Sequence, residues 1–491
     1  MEFRIKSPSA GEFSSAIRLT RLDGLVGLHP EWREFSIVRF VTLYFILMTV
    51  NSKPARWQQI RLINLALFTV LYILRRPADA LYPSVWNEDG VFNIPQAIEH
   101  GWSSLLIPVN GYLIIPSKII TLLSLSISGL FYPEIAYLLT IIITLLVMVI
   151  LTSSLIELPK KEYLPIIIAL LPYDPEVFST PLYIFWWTSL LLLVPLLASS
   201  QAKSKTSKFM IIVSTTLGCI GSPISILLIP TMIIKAYITR ARFNYVILGL
   251  WSALSAVQMY FSLSQVSEKM DFSKFYMALP QFIGTYITYN SFFLRPNFIS
   301  YTLSLAFLLV GCFALYSTLI LKKQEFFNTS IAFLAVLSTI LASWLRTNLE
   351  IHPFLAGPRY FFFPYVFLSI FLMTLYAIPS ESTYRLKPRF FKGLCLLILI
   401  ISCTTTWIQN SSRFYRTHHP LNWRDELYNC ISSADSYNVT IHFNGDISQA
   451  WGHEYPREAC VKIAQSGLFS QWYRFDKTWL QEFKSNRETQ P

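Results

Sequence analysis

Eleven apolar runs, with loops rich in Lys and Arg at every second connection, govern what this chain can fold into. They lie at 57–74, 135–153, 163–172, 181–199, 209–220, 222–236, 244–262, 300–320, 328–345, 362–379 and 391–407. A helix of about 20 mostly apolar residues crosses a bilayer, and somewhat fewer suffice where a span is thin or enclosed by other helices. Of the 491 residues, 53% are hydrophobic and only 14% charged, outside the usual balance of soluble domains. The expected fold class is an all-α polytopic membrane protein of about 11 transmembrane helices.

The basic loops at 52–61, 159–163, 201–208, 235–242, 321–325 and 384–392 fall at every second connection. The positive-inside rule puts them in the cytoplasm. This leaves 75–134, 173–180, 263–299, 346–361 and the tail from 408 on the opposite side. The net charge of +12 is spread over these loops rather than gathered in one patch, so it reads as a topology signal and not as a nucleic-acid surface. The first 33 residues lack the basic tip and apolar stretch of a secretory signal, and insertion is expected to rely on internal spans.

Three parts follow: a cytoplasmic N-terminal region (1–56), a transmembrane domain (57–407) with a long first outer loop (75–134), and an extracytoplasmic C-terminal region (408–491). The run at 35–50 is short and carries Arg39. It is expected to lie in the interface, with a span as the alternative. The apolar stretch 111–130 is interrupted by Pro116 and Lys118, and a helix along the membrane surface preserves the alternation of loops. Cys430 and Cys460 are the tail's two cysteines, and on an oxidising face they are a plausible disulfide pair.

Acidic residues beside spans form a short list, because charge near lipid is costly unless it is paired or faces water. Glu88 and Asp89 in "WNEDGVFNIPQAIEHGW" (86–102) head it. Asp89 either caps a helix from about Gly90 to His100 or does chemistry, and the two roles are compatible. "LPYDPEVFSTP" (171–181) holds Asp174 and Glu176 in a tight outer turn. "LRTNLEIHPFLAGPRYFFFPY" (345–365) holds Arg346, Glu350, His352 and Arg359 ahead of a span. Arg359 either snorkels to headgroups or grips a phosphate, whose oxygens its fork matches. The seven histidines make no HExxH or HxxxH spacing and no cysteine pair has zinc spacing, so no metal or other cofactor is expected, with a divalent ion left open. Walker and GxGxxG loops are absent from the sequence.

Taken together, "LRRPADALYPSVWNEDGVFNIPQAIEHGWSSLLIPVNGYLIIPSK" (74–118), "LPYDPEVF" (171–178), "GSPISILLIP" (221–230) and "GPRYFFFP" (357–364) resemble bacterial membrane proteins of the GT-C glycosyltransferase type. The resemblance covers most of the membrane region, but not the first 50 residues and only weakly the tail. It implies an inner-membrane enzyme with its active site facing the periplasm or exterior. The implied donor is a polyprenyl-phosphate sugar, and the acceptor a glycan or lipid-linked molecule held at the bilayer. Asp89 is then the general base and Glu88 its neighbour or substitute. Glu176 and Asp174 line the cavity, Arg359 lies near the donor phosphate, and Tyr360, Lys118, Tyr112 and His352 contribute to substrate binding. Two departures stand out. Pro116, Ser117 and Lys118 occupy the place of a frequent Pro-Arg, and Tyr183 and Trp186 stand where relatives often carry Asn and Trp. Two rivals predict different patterns: a polysaccharide polymerase or ligase leans on arginines of large outer loops, and a lipid-linked sugar flippase carries charges deep in several spans.

Overall fold

A computed structural model describes residues 54–172, 175–198, 204–263, 275–288, 297–347, 358–378, 388–409, 422–441 and 451–468. The 35–50 run, Asp174 and His352 lie outside the described residues. The described chain is mostly helical, and six helices are long and apolar enough to cross a membrane: Trp57–Arg75, Tyr132–Leu151, Arg242–Ser262, Phe298–Leu319, Gln324–Leu345 and Arg359–Ala377. Several helices open with proline in the first turn, among them Pro77, Pro95, Pro116, Pro133 and Pro165. No intrahelical N–H is lost there, and the ring sets φ in advance.

Burial sorts the six. In the Arg359–Ala377 helix 83% of the most apolar stretch is buried, and in Gln324–Leu345 61%, against 17% to 33% in the other four. A helix apolar on every side belongs in the interior, and Arg359–Ala377 is the central post. The outer helices present Leu62, Leu138, Val246 and Leu305 outward, as lipid contact requires.

The remaining five expected spans are helical but do not reach that length and hydropathy. The run at 163–172 is helical only over Leu164–Leu170, and all seven residues are buried. At 1.5 Å per residue it is about 10 Å long, a third of a hydrocarbon core of about 30 Å. The run at 181–199 is Ile184–Leu197, interrupted by a tighter turn at Leu190–Leu192. Lys205–Gly221 and Ile224–Thr239 are separated by Ser222 and Pro223. Pro388–Gln409 has its apolar part at Lys392–Thr404. Enclosure explains the short pieces, since broken backbone at membrane depth persists only inside protein or beside a cavity.

At two of these ends the last carbonyls are met by buried cations. Arg75 Nη1 donates to Ala169 O (3.2 Å) and Leu171 O (3.0 Å) at the end of Leu164–Leu170. Lys235 Nζ donates to Pro195 O and Ala198 O, both at 2.7 Å, at the end of Ile184–Leu197. Each cation sits where a helix leaves unsatisfied C=O groups and a partial negative charge.

The two ends of the bundle differ. At one, Arg61 donates to Val149 O (2.8 Å), Trp57 to Glu162 (3.1 Å) and Asn328 to Glu157 O (2.7 Å), beside the basic 159–163 loop. The other gathers Arg75, the first long loop, Gln258 and Arg359. Within the 111–130 stretch the loop contains a helix, Ile115–Ile127, with eight of its 13 residues buried. The C-terminal unit packs on it: Trp423 Nε1 donates to Gly129 O (2.8 Å) and Gly129 N to Ser466 O (3.1 Å).

That unit comprises helices Trp423–Ser432 and Arg457–Gln465 around an antiparallel pair, β1 (Ser436–Ile441) and β2 (Trp451–Pro456). The expected Cys430–Cys460 disulfide joins the two helices. A staple across 30 residues limits the open chain by about 3–4 kcal/mol. Replacing both cysteines with serine should raise the open population of this unit about 10²- to 10³-fold, measured as faster amide exchange in 423–465 with little change in the six long helices.

Candidate functional site

The "WNEDG" stretch folds into a wide turn. Gly90 N–H donates to Trp86 O (2.9 Å), and the following π-helical turn, Asp89–Asn93, closes with Ile94 N–H on Asp89 O. Such turns insert one residue into a helix and recur at functional sites. Here the turn sends the two carboxylates to different places.

Asp89 is fully buried. Its Oδ1 accepts from Asn93 Nδ2 (2.8 Å) and its Oδ2 from the Leu182 backbone N–H (3.2 Å). The capping role expected from sequence is therefore altered: the amide it takes belongs to a distant segment, not to its own helix. Burial pushes this carboxyl up to about 7, against the pull of the Asn93 and Leu182 bonds. On the far side Ser117 Oγ donates to Leu182 O, so Leu182 is held through both backbone groups.

Tyr183 follows directly, and its hydroxyl accepts from Arg359 Nη1 (2.6 Å). The same Nη1 donates to Glu176 Oε2 (3.1 Å). The guanidinium lies 5.6 Å from the Tyr183 ring centre and 5.4 Å from that of Tyr360. Glu176 sits on the short Pro175–Val177 turn, steadied by Trp187 Nε1, which donates to Val177 O (2.6 Å). Glu88, half-buried, completes the group: burial raises its carboxyl, Arg359 opposes that, and Glu176 adds to it. Glu88, Glu176, Tyr183, Arg359 and Tyr360 thus share one field at the head of the central helix. Trp86, packed edge-on to Tyr183 at 6.1 Å, forms a wall.

Other expected residues stand apart from this group. Lys118 is buried, with Nζ donating to Gln96 Oε1 and to Ser104 O (2.7 Å). Burial lowers its ammonium to about 8. Arg76 pairs with Asp79 and donates to Phe178 O (3.3 Å), so with Arg75 it supports the fold. Tyr112 follows a tight turn, with Asn110 at φ 49° and Gly111 at φ 85°, where Gly adopts positive φ without a Cβ clash. Its ring meets Phe185 at 5.9 Å. The next residue, Leu113, exchanges hydrogen bonds with the Gln258 amide: its N–H donates to Oε1 (3.1 Å) and its C=O accepts from Nε2 (3.0 Å).

Sequence reasoning missed Asn93, Tyr183 as an arginine partner, and Gln258. Asn93 carried a signal, because it stands four residues after Asp89 on a helical turn. The others carried none, since their partners are 145 and 176 residues away. Among the described residues, no three His, Cys, Asp or Glu side chains gather as metal ligands.

The Asn93 Oδ1 has no hydrogen-bond partner among the described residues. In Asp89→Asn, an amide flip at Asn93 would let its oxygen accept from the new side chain while Leu182 keeps an acceptor. Asp89→Ala strands the Leu182 N–H and should cost about 1–3 kcal/mol. In the wild type, the carboxyl's contribution is whole below its unfolded value of about 3.9 and is lost as pH rises through about 7. The stability of Asp89→Asn relative to wild type should therefore grow from pH 4 to pH 8, measured by thermal unfolding in lipid nanodiscs. A constant difference would contradict the raised carboxyl.

Compared with protein-family models and with curated proteins, the chain matches none.

Proposed function

We propose that this chain is a bacterial inner-membrane glycosyltransferase of the GT-C type. In this reading it has about eleven spans, counting the short enclosed pieces, and moves a sugar from a polyprenyl-phosphate donor to a glycan or lipid-linked acceptor on the extracytoplasmic face. The observation that carries the reading is the meeting of Glu88, Glu176 and Arg359, which come from three separate stretches that resemble that type. They meet at the end of the bundle away from the basic 159–163 loop.

The roles follow from chemistry. Glu88 takes the proton of the acceptor hydroxyl as that oxygen attacks the anomeric carbon. The bond from that carbon to the phosphate oxygen breaks, and the polyprenyl phosphate leaves with the electron pair. One displacement inverts the anomeric centre. A carboxyl raised by burial suits a base working near neutral pH. Among the described residues Arg359 makes its hydrogen bonds through Nη1, and in this reading its other N–H groups meet the charge that grows on the phosphate. Asp89 anchors the turn in this assignment, because both of its oxygens are engaged and it is fully buried. The base role expected for Asp89 passes to its neighbour.

Purified protein in nanodiscs, given a panel of polyprenyl-phosphate sugars and acceptors, should transfer sugar. Glu88→Gln should lower kcat by about 10²- to 10⁴-fold, and Asp89→Asn by less than about tenfold. The opposite ranking would return the base role to Asp89, and no transfer with any donor would defeat the reading. Arg359→Lys keeps the charge but loses the fork and should raise KM for the donor at least tenfold. An unchanged KM would remove Arg359 from the donor site.

A further inference from the structure

The π-helical turn has an unusual backbone account. In an i to i+5 pattern, Asp89 O accepts from Ile94 N, and the acceptor next in line, Gly90 O, should receive the N–H of residue 95. That residue is Pro95, which has no N–H. The alternative donor for Gly90 O, Ile94 N–H at i+4, is committed to Asp89. A buried carbonyl needs a partner, and Gly90 is buried. The partner is the Tyr455 hydroxyl, which donates to Gly90 O from β2 of the C-terminal unit, 365 residues away.

Tyr455 is itself firmly placed. It is 2% exposed, its cross-strand partner is Tyr437, flanked by Ser436 and Asn438, and the disulfide sulfur of Cys430 lies 3.8 Å from its carbonyl oxygen. The unit approaches the first loop too closely for a side chain at Gly129, where a Cβ would fall 1.9 Å from Ile463 O. The first contacts fix Tyr455 within its unit, and the contact at Gly129 docks that unit on the first loop.

We infer that Tyr455 is a positioning residue for the acidic turn: its hydroxyl replaces the N–H that Pro95 lacks and holds the backbone that aims Glu88 and Asp89. The C-terminal unit is thereby part of the site's framework. The link to transfer rests on the proposed role of Glu88, whereas the link to the turn does not.

The test uses the full chain in nanodiscs and two readouts. Tyr455→Phe keeps the ring and the disulfide. It should speed amide exchange in 86–94 roughly tenfold, leave exchange in Tyr132–Leu151 unchanged, and reduce kcat several-fold with little change in KM. Pro95→Ala, added to it, supplies the missing N–H and should restore slow exchange and kcat together. Unchanged exchange in Tyr455→Phe, or failure of Pro95→Ala to restore it, overturns the inference. Faster exchange with an unaltered kcat overturns the positioning role. A wild type that transfers no sugar defeats the glycosyltransferase reading alone, and exchange still decides the role of Tyr455 in the turn.

Discussion

The bond between the Asp89 carboxylate and the Leu182 amide is the interaction on which the site depends. It joins the first long loop to the segment that carries Glu176, Tyr183 and Trp186, two stretches 93 residues apart. Ser117 holds the same residue from the carbonyl side, so the backbone entering Tyr183 has little freedom. Tyr183 in turn meets Arg359 at the head of the central helix. A buried carboxylate is costly unless it is hydrogen-bonded, and here that cost secures the relative position of three chain segments.

The same economy of buried polar groups explains the rest of the membrane region. Short helices end inside the protein, and their last carbonyls are served by Arg75 and Lys235. Gln258, near the end of a long outer helix, presents its amide to Leu113 as a neighbouring strand would. Charged and amide side chains that look anomalous in apolar surroundings are there as partners for interrupted backbone. That is why Arg75, Arg76 and Lys118, all cations near the acidic turn in sequence, stand apart from the polar group around Arg359.

Much of the architecture was legible from residue type. Apolar runs located every long helix among the described residues, because length and apolarity are properties of contiguous chain. The first loop and Arg359, which the alternating basic loops assign to one side, are linked through Leu182 and Tyr183. The pairing of Cys430 with Cys460 was readable from the tail having only those two cysteines. The short run at 163–172 was not readable as an enclosed fragment, since hydropathy does not distinguish contact with lipid from contact with protein. Nor did spacing reveal the different surroundings of Glu88 and Asp89, which are adjacent in sequence but diverge where Asp89 opens the π-helical turn.

Sequence alone determined that the chain is an apolar helical protein with acidic residues and an arginine at span boundaries, because these follow from composition and local order. Tertiary structure decided which of those charges meet. Glu176 and Arg359 are 183 residues apart, and only the packing of the central helix against the Pro175–Val177 turn brings them within bonding distance. The partner of Gly90 was likewise undecided locally: Pro95 announced a missing donor, but that Tyr455 fills the gap depends on how a disulfide-stapled unit docks on the first loop.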